Sequence, residues 1–359
     1  MKLKGHILLL FIAICVASCN TDSVTVDPNS GYVPTPLTLE VPQLFEERIL
    51  PPVIPEDNPL TEEGVALGKK LFFDPALSLN GSQACADCHR PENAFTDPRQ
   101  FSVGIDGSVG TRNSMPLQNL AFNFPEKFFW DGRSISLEAQ IFEPVVNPIE
   151  MNNTWPNVEN TLQEIEGYPL MFERAFGSST VDSINVSKAI AQFLRTLISG
   201  NAKIDRFLLG QEELTPSEAN GLAVFLDEGR GDCFHCHGLP ANPLWTDNAF
   251  HNNGLDEIIT DRGLGGISGD PREFGLFKSG TLRNIEFTAP YMHDGRFATI
   301  EEVINHYSEG LVFSKTIDPL MKKVGEGGVQ LSEEDKADLK AFLLTFSDLE
   351  FINNPDFQN

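Results

Sequence analysis

The pattern Cys-x-x-Cys-His occurs twice in this chain, as "CADCH" from Cys85 to His89 and as "CFHCH" from Cys233 to His237. The chain has 6 cysteines; Cys15 lies in an apolar N-terminal run and Cys19 just behind it, so the two motifs hold all the others. The pattern is the attachment site of a c-type haem: two thioethers fix the porphyrin, and the adjacent histidine is set beneath the iron as proximal ligand. A redox dithiol has no use for the following histidine. A zinc site built from two distant cysteine pairs gives no reason for His89 and His237 to stand in the same relative place. His235, between the attachment cysteines of the second motif, reads as a bystander. Two covalently bound haem c groups are therefore expected, one on Cys85, Cys88 and His89 and one on Cys233, Cys236 and His237.

Around the motifs the sequence reads as helices joined by long loops. Thr215-Pro216-Ser217-Glu218 is a capped helix start, and Thr299 to Glu302 and Ser332 to Asp335 are close to it in form. Apolar residues spaced by three and four follow in "ANGLAVFLDEG", "IEEVINHY", "ADLKAFLLTF" and "SKAIAQFLRTLI", while strand-like alternation is scarce. "FWDGRSISLEAQI" from Phe129 matches "MHDGRFATIEEVI" from Met292 without a gap, an offset of 163 positions. "RN" precedes each copy, at Arg112-Asn113 and Arg283-Asn284. The expected fold is mainly α, with two tandem cytochrome c-like haem domains. The same offset sets Tyr307 opposite Pro144. A phenolate binds ferric iron and proline has no side-chain donor, so the second haem is expected to be capped and the first open.

Acidic residues outnumber basic ones 51 to 26, for a net charge of -25, which argues against a nucleic-acid partner. Lys2 and Lys4 precede "HILLLFIAICVAS" and then Cys19, in the manner of a lipoprotein signal peptide. The expected organisation is a signal peptide over 1–18, a Pro-rich tether over 19–58, an N-terminal haem domain over 59–200 and a C-terminal haem domain over 201–359, to which the resemblance described below assigns peroxidatic and electron-transfer roles in turn. The protein would then sit in the periplasm or cell envelope, held to the membrane only by a lipid on Cys19.

From about Leu60 onward the chain resembles the bacterial di-haem cytochrome c peroxidase and MauG family. The likeness is carried by "LGKKLFFDP", "CADCH", "SVG", "FFWDGR", "NPIEM", "CFHCH", "TLRNIEFTAPYMHDGRF" and "EEVINHY". It implies that hydrogen peroxide binds at the N-terminal haem. Glu150 would be the acid/base carboxylate above it, Gln140 a second polar residue nearby, and Trp130 an oxidisable indole between the haems. It also implies a calcium ion at Asn113, Thr288 and Pro290, and a homodimer. Two departures from the peroxidase pattern stand out. Ile105 falls where many family peroxidases carry a histidine that blocks the first iron, which removes the need for activation. Tyr307 stands where they have methionine, which points to the MauG-like subgroup and a low-potential second haem. His306 is the rival ligand, Met292 and Met321 come after it, and His251 and His293 are read as supporting contacts.

Three functions follow. The first is peroxide reduction with electrons from a small periplasmic cytochrome or cupredoxin, relayed through the C-terminal haem. The second is MauG-like, peroxide-dependent oxidation of a protein or aromatic substrate. The third is a plain di-haem electron carrier.

Overall fold

The protein was analysed as a computed structural model that describes residues 33–359. The expected signal peptide and Cys19 lie outside the described residues. In the first half the helices are α1 Gln43–Arg48, α2 Glu62–Phe73, α3 Leu137–Val146, α4 Trp155–Glu164, α5 Tyr168–Phe176 and α6 Ser183–Thr196. In the second they are α7 Lys203–Leu208, α8 Pro216–Leu226, α9 Phe234–His237, α10 Leu264–Ser268, α11 Ile300–Glu309, α12 Glu333–Leu344 and α13 Leu349–Ile352. Among the described residues the only sheet is a short antiparallel pair, β1 Phe250–His251 against β2 Phe277–Lys278.

The helix starts follow from their caps. Thr215 and Thr299 each close a capping box with a glutamate three residues on, and Ser332 accepts from the Asp335 amide. Within the Gly-rich loop that begins at Asp261, α10 forms a single extra turn.

Each half is built on one close helix crossing. α2 packs on α6 and α8 on α12. A Cβ on Gly68 would lie 1.9 Å from the Ala189 carbonyl oxygen, and one on Gly221 would lie 2.0 Å from that of Asp338. Only glycine allows backbones this near. One apolar core gathers residues from Leu67 to Leu197 and a second gathers residues from Ala202 to Phe346. Phe351 and Ile352 of α13 return to the first core, which ties the C-terminus to the N-terminal half.

The internal repeat is visible in the backbone. α3 and α11 keep the offset found in the sequence, with Ser136 and Thr299 as their caps. The Phe128–Ser134 bridge recurs as Tyr291–Phe297. Inside each "DGR" an aspartate pairs with the arginine, Asp131 with Arg133 and Asp294 with Arg296.

The "RN" pairing does not hold. Asn284 is left-handed at φ 56° and opens a 3-10 turn; the residue that does the same in the first half is Asn119, at φ 58°, not Asn113. Asn119 receives the Ser199 amide on Oδ1 and gives its own amide to the Leu197 carbonyl. Asn284 does the same with Asp348 and Phe346. The tether reading also needs correction. α1 is docked on the body, with Leu44 and Phe45 fully buried beside Phe122 and Leu244. Arg48 donates to the Pro240 and Leu208 carbonyls, so the stretch leading into the first domain is a strap across the second.

Candidate active site

Each Cys-x-x-Cys-His motif forms the floor of a cavity. The first, of about 990 Å³, is lined by Cys85, Cys88 and His89; the second, of about 250 Å³, by Cys233, Cys236 and His237. All four cysteines are unpaired. Burial pushes the Cys85 and Cys233 thiols up to about 12, so they are neutral thiols and not thiolates. His89 Nδ1 lies 2.8 Å from the Phe95 carbonyl, which fixes the ring and leaves Nε2 for a ligand. Burial lowers the His89 pKa and takes that of His237 down to about 4, which keeps both imidazoles in the neutral form that binds metal. Among the described residues no group of three or more His, Cys, Asp or Glu is arranged to hold a bare metal ion. Unpaired, half-buried thiols, a neutral histidine and an adjoining cavity fit a covalently held haem in both halves.

The walls of the two cavities differ. Pro144 of α3 lines the first and Tyr307 of α11 lines the second, at equivalent turns of equivalent helices. Glu150 and Gln140 also line the first cavity. Burial raises the Glu150 pKa, while the Asn147 amide, 2.7 Å from Oε1, works against that rise. Trp130 lines both cavities, as do Asn113, Lys278 and Asn253, so the voids share a wall. The Trp130 indole donates to the Asn113 carbonyl at 2.8 Å.

Residues 62–213 match the family model described as di-haem cytochrome c peroxidase. Over 296 residues the chain is 39% identical to the methylamine utilization protein MauG of Methylorubrum extorquens, covering 81% of this chain and 80% of that one. The chain belongs to the di-haem cytochrome c peroxidase family. It is 34% identical to the cytochrome c551 peroxidase of Nitrosomonas europaea, over 70% of this chain and 73% of that protein. A solved MauG-like protein associated with microbial copper homeostasis superposes with a TM-score of 0.80 at 32% identity, covering 90% of this chain and 99% of that one. As a member of this family the chain is a peroxidase-type oxidoreductase that carries two c-type haems.

Within this di-haem peroxidase the remaining sequence-derived residues can be placed. Ile105 does not line the first cavity; its amide donates to the Glu150 carbonyl. A Cβ on Gly104 would lie 2.2 Å from the Ile149 carbonyl, so this loop is seated on the segment that carries Glu150. His306, next to Tyr307, does not line the second cavity; its Nε2 lies 3.0 Å from the Asn253 carbonyl. Met292 and Met321 line the second cavity, as do Asn113, Thr288 and Pro290. His251 is held between Asp318 and Asp247 at 2.6 and 2.8 Å, and its pKa is raised to about 11, mostly by Asp247. His293 lies flat on Phe277 with ring centroids 3.6 Å apart.

Several neighbours of the site carried no sequence signal. Ser114 Oγ lies 3.2 Å from His89 Nδ1. Lys278 is a buried amine with no carboxylate partner, and burial takes its pKa down to about 8. Ser114 sits in a loop and Lys278 in the two-residue strand β2, and neither belongs to a motif read from the sequence.

Proposed function

We propose that this protein reduces hydrogen peroxide at an open haem in its N-terminal half, residues 59–200. Electrons would come through a tyrosine-capped haem in its C-terminal half, residues 201–359, from a small periplasmic cytochrome or cupredoxin. One observation carries this reading: at matching turns of α3 and α11, the first cavity is faced by Pro144 and the second by Tyr307. A haem held on Cys85, Cys88 and His89 supplies an iron at which the O–O bond of peroxide can be cleaved.

The chain's own residues would do the rest. Glu150, as carboxylate, would take a proton from one oxygen of peroxide and return it to the other, which would leave as water. Burial raises its pKa and so lowers the cost of holding the proton between those two transfers. Asn147 fixes one carboxylate oxygen, and Gln140 adds a polar group to the same cavity. Trp130 offers an oxidisable ring in the shared wall, fixed by Asn113. Tyr307 caps the second site, where an anionic oxygen favours the ferric state. Ile105 does not line the first cavity and has no group that binds iron, so it would not block peroxide there.

A second reading is favoured by Tyr307 and by the likeness to MauG. In it the oxidising equivalent is stored and then spent on a protein or aromatic substrate. Mixing the ferric, haem-loaded protein with peroxide and a reduced small cytochrome tests the first reading. Donor oxidation from the first turnover supports it; no donor oxidation, with stored oxidation that persists without donor, shifts the assignment to the second; no reaction with peroxide overturns both and leaves an electron carrier.

The same proposal includes export, a lipid on Cys19, a homodimer and a calcium ion at Asn113, Thr288 and Pro290. Those three residues line one cavity and offer neutral oxygens of the kind calcium accepts together with water. A calcium titration of chelator-treated protein, followed by calorimetry, reads that site directly.

A further inference from the structure

His306 and Tyr307 are adjacent on α11, so their side chains leave the helix about 100° apart and cannot both face one cavity. A single residue from a different segment touches both. The side-chain amide of Asn253 lies 3.1 Å from Tyr307 Oη and 3.3 Å from Met292 Sδ. A thioether sulfur only accepts hydrogen bonds, so the nitrogen of the amide, not its oxygen, faces this pair, and Asn253 donates to the phenol oxygen. The backbone carbonyl of the same residue, 3.0 Å from His306 Nε2, requires that nitrogen to carry its hydrogen. That nitrogen then has no lone pair to give.

Asn253 is itself tightly held. Asn252, almost fully buried, donates to Ser314 Oγ and Thr316 Oγ1 at 3.0 and 2.9 Å, and its carbonyl accepts from the Asp318 amide. Gly254 follows at φ 70°, and its carbonyl accepts from the Val312 amide at 2.8 Å. A β-carbon there would meet Ile317 at 3.1 Å, so glycine is the residue that fits the bend. Both neighbours of Asn253 are thus fastened to the 312–318 segment, and its amide and carbonyl point in fixed directions.

We propose that Asn253 is the positioning residue for the cap of the second haem: its amide aims Tyr307 Oη into the cavity while its carbonyl holds His306 aside. The inference rests on the reading that Tyr307 caps that haem. A hydrogen bond donated to the oxygen favours its anionic, ligating form, as a donated bond favours any charged acceptor.

The test uses the full, haem-loaded ferric protein and reads the tyrosinate bands in resonance Raman together with the low-spin signal of the second haem. Tyr307→Phe comes first. If it leaves both signatures unchanged, the capping reading fails and the inference falls with it. With Tyr307→Phe effective, Asn253→Ala is expected to lower the ratio of tyrosine-bound to unbound second haem by about tenfold, the scale of one hydrogen bond to a charged group. Asn253→Asp keeps the volume, sets an acceptor against the phenolate, and should lower the ratio further. His306→Ala should leave the tyrosinate bands in place. Wild-type spectra in both Asn253 variants would overturn the inference, as would loss of the tyrosinate bands in His306→Ala.

Discussion

Burial would suit Glu150 to the proton transfer proposed for it. Its pKa lies above the ordinary 4.5 because the charged form is poorly solvated in the cavity wall. Accepting a proton needs the carboxylate, so peroxidase activity should fall as pH drops through a midpoint above 4.5. Glu150→Gln should lose that pH dependence and slow the peroxide step by about 10²–10⁴-fold, read by stopped-flow. A second prediction concerns stability. Arg283 and Asp205 form a paired contact at 2.6 and 2.8 Å with 0% and 1% of their side chains exposed. Asp205→Asn would leave a buried guanidinium without its counter-charge, at a cost of about 3–5 kcal/mol in chemical denaturation. The two Cys-x-x-Cys-His motifs were legible in the sequence, because a cofactor that is covalently attached needs fixed residue types at fixed spacing. The sequence did not make Asn253 legible, because that residue lies in a loop 54 positions from Tyr307 in the chain and meets it only in the fold.

At the scale of elements, the helix starts could be read from Thr215, Thr299 and Ser332 because a cap is local chemistry within four residues. The gapless match between α3 and α11 was legible for the same reason: each is one capped helix following one "DGR" turn. The equivalence of Asn119 and Asn284 was hidden, since left-handed asparagines are set by the strands of chain they clasp, and a chance "RN" at Arg112-Asn113 offered a false partner. The docking of α1 was hidden too: a Pro-rich segment reads as extended until the groove that receives Leu44 and Phe45 is known. The two helix crossings give a prediction at this scale. Gly68→Ala and Gly221→Ala add one methyl group each, yet each should destabilise its half by about 1–3 kcal/mol, because the new carbon meets a backbone oxygen that cannot move aside. Thermal unfolding of the haem-loaded variants checks it. A gain in stability, as helix propensity alone would give, would contradict the crossing geometry.

For the whole molecule, the two cavities share a wall that includes Trp130, which is where the proposed relay between the haems would run. Trp130→Phe removes the most readily oxidised ring from that wall and leaves a core of similar shape. It should slow donor-driven turnover while leaving the first reaction with peroxide near its wild-type rate, a split that stopped-flow and steady-state assays report together. No helix among the described residues is long and apolar enough to cross a membrane. If Cys19 carries the lipid, Cys19→Ala should move the protein from the membrane fraction to the soluble envelope fraction with its activity retained. The account turns on an asymmetry between two related sites, and the most direct measurement of it is an electron paramagnetic resonance spectrum of the fully ferric protein with both haems attached. The account predicts one high-spin signal from an open N-terminal haem and one low-spin signal from the haem under Tyr307; two low-spin signals would show both irons capped and contradict it.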